Sequence, residues 1–89
     1  MNQQQALNGF GAIAQETRLQ IVRLLIKAGA EGMPAGEITA GLEGASAPRV
    51  SFHLRHLEQA GLITSKREGR LIIYSAVFSA LSDLVAFLM

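Results

Sequence analysis

The sequence predicts a mainly α domain carrying a two-stranded β-hairpin, in the order α-α-α-α-β-β-α. Three observations predict it. Apolar residues return at three- and four-residue spacing through most of the chain up to Gly61. The pattern then changes to two short β-rich runs, Leu62–Arg67 and Leu71–Ser75, around a glycine turn. A helical pattern resumes at Val77 and runs to Leu88.

Each element has its own signal. Leu7, Phe10 and Ile13 outline a short first helix that Gly9 and Gly11 weaken. Leu19, Val22, Leu25 and Ile26 outline a second from about Gln15 to Ala28, with Glu16 and Lys27 placed as the helix dipole favours and Gly29 as a stop. Gly32-Met33-Pro34 reads as a turn with Pro near a helix start, and Ala35–Leu42 as a short helix burying Ile38 and Leu42. Ser46 is a natural N-cap for a helix from Ala47 to Ala60, and Pro48 is tolerated in its first turn. Val50, Leu54 and Leu57 share the inner face of that helix, while Arg49, Phe52, Arg55 and His56 face outward. Gly61 closes it as a left-handed cap, and Glu68-Gly69-Arg70 turns the hairpin.

Eighty-nine residues with 49% hydrophobic content suit one small domain, 1–89, of a size that gains stability from a partner subunit. The formal net charge is only +1, but its distribution is uneven. Up to Ala45, Arg18, Arg23 and Lys27 are outweighed by Glu16, Glu31, Glu37 and Glu43. From Ser46 to Ala76, Arg49, Arg55, Lys66, Arg67 and Arg70 outweigh Glu58 and Glu68. A basic excess on one short stretch is what a phosphate-facing surface requires. The absence of cysteine excludes disulfides and thiolate chemistry within these residues and fits a reducing cytoplasm. The polar start and the lack of a long apolar run predict a soluble chain that does not use a membrane.

Two helices joined by a short glycine-containing turn and followed by a basic hairpin form the layout of a winged helix-turn-helix. Such folds present the start of their second helix to base edges in the major groove. The residues so placed are Ser46, Ala47, Pro48, Arg49, Ser51, Phe52 and His53, with Arg55 and His56 one turn on. Arg49 suits a guanine, Ser51 and His53 suit bases or phosphates, and an outward Phe52 suits a thymine methyl or a sugar edge. Lys66, Arg67 and Arg70 are expected at the hairpin tip, free to meet phosphate oxygens. Double-stranded DNA is therefore the expected partner.

The segments Gln15–Leu25, Val50–Ile63 and Arg67–Arg70 resemble the ArsR/SmtB family of winged-helix repressors, whose patterns are of the kind T-R-L-x-I-L-x-L-L, V-S-x-H-L-x-x-L-x-x-A-G-L-V and R-x-G-R-x-x-Y. The resemblance covers roughly Leu7 to Leu88. It implies a homodimer built from the first and last helices, and an inducer that lowers affinity for an inverted-repeat operator. The residues ask for the same interface. The last helix is apolar on more faces than one small domain can cover, so Val77, Phe78, Leu81, Leu84, Val85 and Leu88, with Leu7 and Phe10, are expected between subunits.

The chain departs from the metal-sensing members of that family. Met33-Pro34-Ala35-Gly36-Glu37 stands where many carry a Cys-x-Cys element, and the last helix offers only Asp83 where others place Asp, His and Glu ligands. The Ser-Phe-His-Leu and Ile-Ile-Tyr-Ser segments resemble an arsenic-responsive subgroup whose cysteines lie just beyond the last helix. Two readings of sensing follow. Either trivalent arsenic or antimony is bound by cysteines beyond Met89, or the regulator is independent of metal. No metal site or cofactor is expected within the chain, since His53 and His56 have no third ligand nearby. A protein-interaction winged helix is the rival class, although it would not need basic residues on both helix and hairpin. RNA binding lacks a pair of stacking aromatics on a strand face. An enzyme lacks an activated nucleophile or a carboxylate pair.

Overall fold

A computed structural model describes residues 1–89. The first helix, α1, spans Gln3–Ile13 and so begins before its apolar repeat. A capping box explains the early start: Asn2 Oδ1 accepts from the Gln5 N–H at 2.8 Å and Gln5 Oε1 accepts from the Asn2 N–H at 2.8 Å. Helix α2, Glu16–Ala28, is capped by Gln15, whose side-chain oxygen accepts from the Arg18 N–H at 2.8 Å.

A single 3₁₀ turn, Gly29–Glu31, leads into strand β1, Met33–Pro34. This strand corrects the expected two-stranded hairpin to a three-stranded antiparallel sheet of order β1-β3-β2. Two residues are too few to show strand alternation, and Pro34 reads locally as a turn. Gly32 makes the pairing possible. Its φ of +70° suits glycine, and a Cβ there would collide with the Tyr74 carbonyl.

Helix α3 covers Ala35–Ala40, shorter than the expected Ala35–Leu42. Leu42 nevertheless remains buried in the following turn. Helix α4, Ala47–Gln59, starts on the Ser46 cap, whose Oγ accepts from the Arg49 N–H at 3.4 Å. It ends in a Schellman motif. The Leu62 N–H donates to the Leu57 carbonyl at 3.1 Å, and the Gly61 N–H to the Glu58 carbonyl at 3.0 Å, with Gly61 at φ +78°. Leu57 and Leu62, at the two ends of that motif, are both fully buried.

Strands β2, Ile63–Glu68, and β3, Leu71–Ala76, pair with Glu68 opposite Leu71, which leaves Gly69-Arg70 as a two-residue turn. Gly69 alone of the two has a positive φ, +60°, the arrangement of a II′ turn with glycine first. The Val77 N–H donates to the Leu62 carbonyl at 2.9 Å and leads into α5, Phe78–Phe87.

One core lies between these elements. Ile21 and Leu25 from α2, Ile38 from α3, Val50, Leu54 and Leu57 from α4 and Ile63 from β2 are almost wholly buried, each stabilising the fold by about 1.5–3 kcal/mol. Helix α1 docks through the small residues Ala6, Gly9 and Ala12. Gly9 lies so close to Leu84 of α5 that a Cβ would stand 2.8 Å from Leu84 Cδ2. Leu84 is therefore a core residue, 2% exposed, and not the free interface residue its sequence position suggested. Phe10 and Leu81 also lean on this core, whereas Leu7, Phe78, Val85 and Leu88 are exposed. No helix is long and apolar enough to cross a membrane.

Candidate nucleic-acid interface

Helices α3 and α4 meet across the turn Gly41–Ser46, and the outer face of α4 is set by what its inner face must do. Val50, His53, Leu54 and Leu57 form the stripe that faces the core. Ser46, Ala47, Pro48, Arg49, Ser51, Phe52 and Arg55 are consequently exposed, and His56 is half-buried. Phe52 is 58% exposed, with its ring edge-on to that of His53 at 5.5 Å and 68°. A large aromatic held open beside arginines can meet a base methyl or a sugar face.

His53 is a correction. It was expected to serve bases or phosphates, yet it is only 8% exposed and turns inward at i, i+3 spacing from Val50. The Arg18 guanidinium of α2 reaches it, with Nη1 3.2 Å from His53 Nδ1, while Arg18 Nε donates to the Ala12 carbonyl at 2.6 Å. Arginine has no acceptor, so His53 Nδ1 accepts, and the neutral ring carries its proton on Nε2. Burial holds the His53 pKa below its ordinary 6.5, and the positive charges of Arg18 and Arg49, with His56, push it the same way.

The hairpin is also arranged differently from expectation. Only Arg70 is in its turn. Lys66 and Arg67 are neighbours on β2 and so point to opposite faces of the strand. Lys66 forms a solvent-exposed ion pair with Glu68 at 3.6 Å, a contact of small energy that still offsets part of its charge. Arg67 and Arg70 are exposed and in no ion pair.

Two contacts escaped sequence reasoning. One is Arg18 with His53. The other is Ser65 of β2, whose Oγ donates to Glu58 Oε2 of α4 at 2.7 Å and ties the hairpin to the helix. Tyr74, paired with Ser65 across the sheet, has its pKa raised by burial and then by the charge of Glu58. A signal for the first contact was available. Arg18 precedes Ile21, Val22 and Leu25 at helical spacing, and His53 lies within Val50, Leu54 and Leu57 in the same way. A polar residue on an apolar stripe needs a buried partner.

Residues 13–66 match a family model described as a helix-turn-helix domain. The chain is 38% identical over 82 residues to the transcriptional repressor SdpR of Bacillus subtilis (strain 168), covering 92% of this chain and 87% of that one. It superposes on the crystal structure of a possible transcriptional regulator for arsenical resistance with a TM-score of 0.80 at 31% identity, over 91% of this chain and 80% of the other. It also superposes on the homodimeric winged helix-turn-helix DNA-binding domain of a possible ArsR-family regulator from Mycobacterium bovis, with a TM-score of 0.78 at 26% identity, over 96% and 75%. The chain belongs to the ArsR family.

This ArsR-family protein is thus a DNA-binding transcriptional regulator and not an enzyme. The three-stranded sheet and the α3–α4 pair are the winged helix-turn-helix of the family.

Proposed function

We propose that the protein is a repressor that binds an inverted-repeat operator as a homodimer, with α4 in the major groove and the β2–β3 hairpin on the flanking backbone. The observation that carries this is the two-sidedness of α4. Its inner stripe is consumed by the core, while Arg49, Ser51, Phe52 and Arg55 are left together in solvent. Arg49 supplies a bidentate donor for guanine, and Arg67 and Arg70 supply backbone charge.

Dimerisation is supported by an apolar surface on α5. Ile26, Phe78, Leu81, Val85 and Ala86 line one shallow groove, and Leu88 and Leu7 add exposed apolar area. The Mycobacterium bovis neighbour is itself homodimeric. A second copy of this chain is the occupant proposed for that surface.

The inducer proposed is trivalent arsenic or antimony, in keeping with the neighbour named for arsenical resistance. These 89 residues hold no cysteine, so the thiolates for it would come from cysteines outside them. Gel-shift titration on the duplex upstream of the protein's own gene, at two salt concentrations, tests the DNA reading. Saturable, salt-weakened binding to an inverted repeat is expected; binding indifferent to sequence and salt would sink it. Arsenite that leaves the native complex intact would sink the inducer.

A further inference from the structure

We propose that Arg18 is a positioning residue for DNA recognition: by holding the Ala12 carbonyl and His53 Nδ1 together, it fixes the rotation of α4 about its axis. That rotation sets where Arg49 and Phe52 point. The proposal rests on the reading of α4 as the recognition helix.

The guanidinium joins three helices. Arg18 belongs to α2, its Nε bond ends on the last turn of α1, and its Nη1 bond ends on α4. A planar fork with donors at fixed angles constrains two acceptors at once, as the single ammonium of a lysine does not. On α4 the held residue lies between the two that matter. Arg49 is one turn before His53, and the Phe52 ring rests edge-on against the imidazole. A His53 ring released from Arg18 would free the support beneath Phe52 and let the start of α4 turn.

The clamp requires a neutral His53. The charged or titratable groups acting on the ring are Arg18 from α2 and Arg49 and His56 from α4, while α1 contributes only the Ala12 carbonyl, already bonded to Arg18 Nε. No carboxylate acts on it. A proton on Nδ1 would set two donors and two positive charges against each other, so acid opens the clamp. The simple electrostatic effect has the opposite sign. Added positive charge near DNA strengthens phosphate binding.

The test is fluorescence anisotropy of the full chain with two duplexes: the region upstream of its own gene and a scrambled duplex of equal length. Wild type, Arg18→Lys and His53→Asn are compared between about pH 5 and pH 8. The wild type should lose about tenfold in its preference for the upstream duplex on acidification. His53→Asn, an acceptor that does not titrate, should keep a flat preference. Arg18→Lys should lose about tenfold at neutral pH while still melting cooperatively.

Nitrogen NMR of the free protein gives a readout independent of DNA, with Nδ1 of His53 expected bare and Nε2 protonated. A proton found on Nδ1 at neutral pH overturns the clamp and leaves the DNA reading intact. Unchanged preference in Arg18→Lys, or an acid-induced loss undiminished in His53→Asn, also overturns it. A wild type with no preference for the upstream duplex at any pH overturns the DNA reading and the positioning role with it.

Discussion

Arg18 and His53 are 35 residues apart in sequence and 3.2 Å apart in space, each at a place on its helix where an apolar residue would otherwise sit. Folding therefore keeps a histidine neutral that the unfolded chain leaves free to titrate.

Stability should fall with acid as a result. The folded-state pKa of His53 is lowered from 6.5, so above that value the ring is neutral in both states and contributes no pH dependence. As pH drops through 6.5 the unfolded chain takes up the proton first, and unfolding is favoured until the folded His53 is protonated too. Thermal melts across this window should show a declining midpoint in the wild type and a flatter one in His53→Asn.

Gly32→Ala should cost about 2 kcal/mol or more, because a Cβ at φ +70° meets the Tyr74 carbonyl and pushes β1 off β3. For a chain of this size that corresponds to a drop of about 8 °C or more in melting temperature. An unchanged melting temperature would deny β1 its place in the sheet.

Leu57→Ala removes a side chain that is fully buried and anchors the Schellman motif with Leu62. A loss of about 2–5 kcal/mol in urea unfolding is expected, with the slope of the transition unchanged.

On DNA, Arg49→Ala and Arg70→Ala should differ in kind. Arg49 at the start of α4 should cost about 1–3 kcal/mol on the preferred duplex and relax discrimination at one position. Arg70, exposed in the hairpin turn, should weaken all sequences alike and reduce the salt slope by about one per site. Lys66→Ala should do less than Arg70→Ala, since Glu68 already offsets part of its charge. Competition titrations at several salt concentrations separate these outcomes.

Val85 is 65% exposed on α5 and takes no part in the core. Val85→Asp should leave the protomer's stability within about 0.5 kcal/mol and dissociate the dimer in sedimentation experiments. A dimer that survives the substitution would place the interface elsewhere.

Much of the fold was legible because helices longer than two turns declare their inner faces by period. The α2 and α4 stripes, the Ser46 cap, the Gly61 cap and the Gly69 turn are all local signals of this kind. What was missed is non-local. Strand β1 exists only because β3 is there to bond with, and nothing in Met33-Pro34 announces it. Leu84 belongs to the core only because α1 brings a glycine against it. Reading α4 as a recognition helix makes His53 a DNA-facing residue by association. Its spacing from Val50 and Leu57 placed it inside.

The order β1-β3-β2 has a consequence for behaviour in concentrated solution. A small sheet with open edges is a template for adding strands from other molecules. Here one edge is only two residues long and ends in Pro34, which has no N–H to donate. The other edge, β2, carries Lys66, Arg67 and Glu68 in succession, and a charged strand resists docking by its own copy. Fibrillar growth through the sheet is thereby discouraged at both ends, and the helical side of the molecule is left as the surface through which copies can meet.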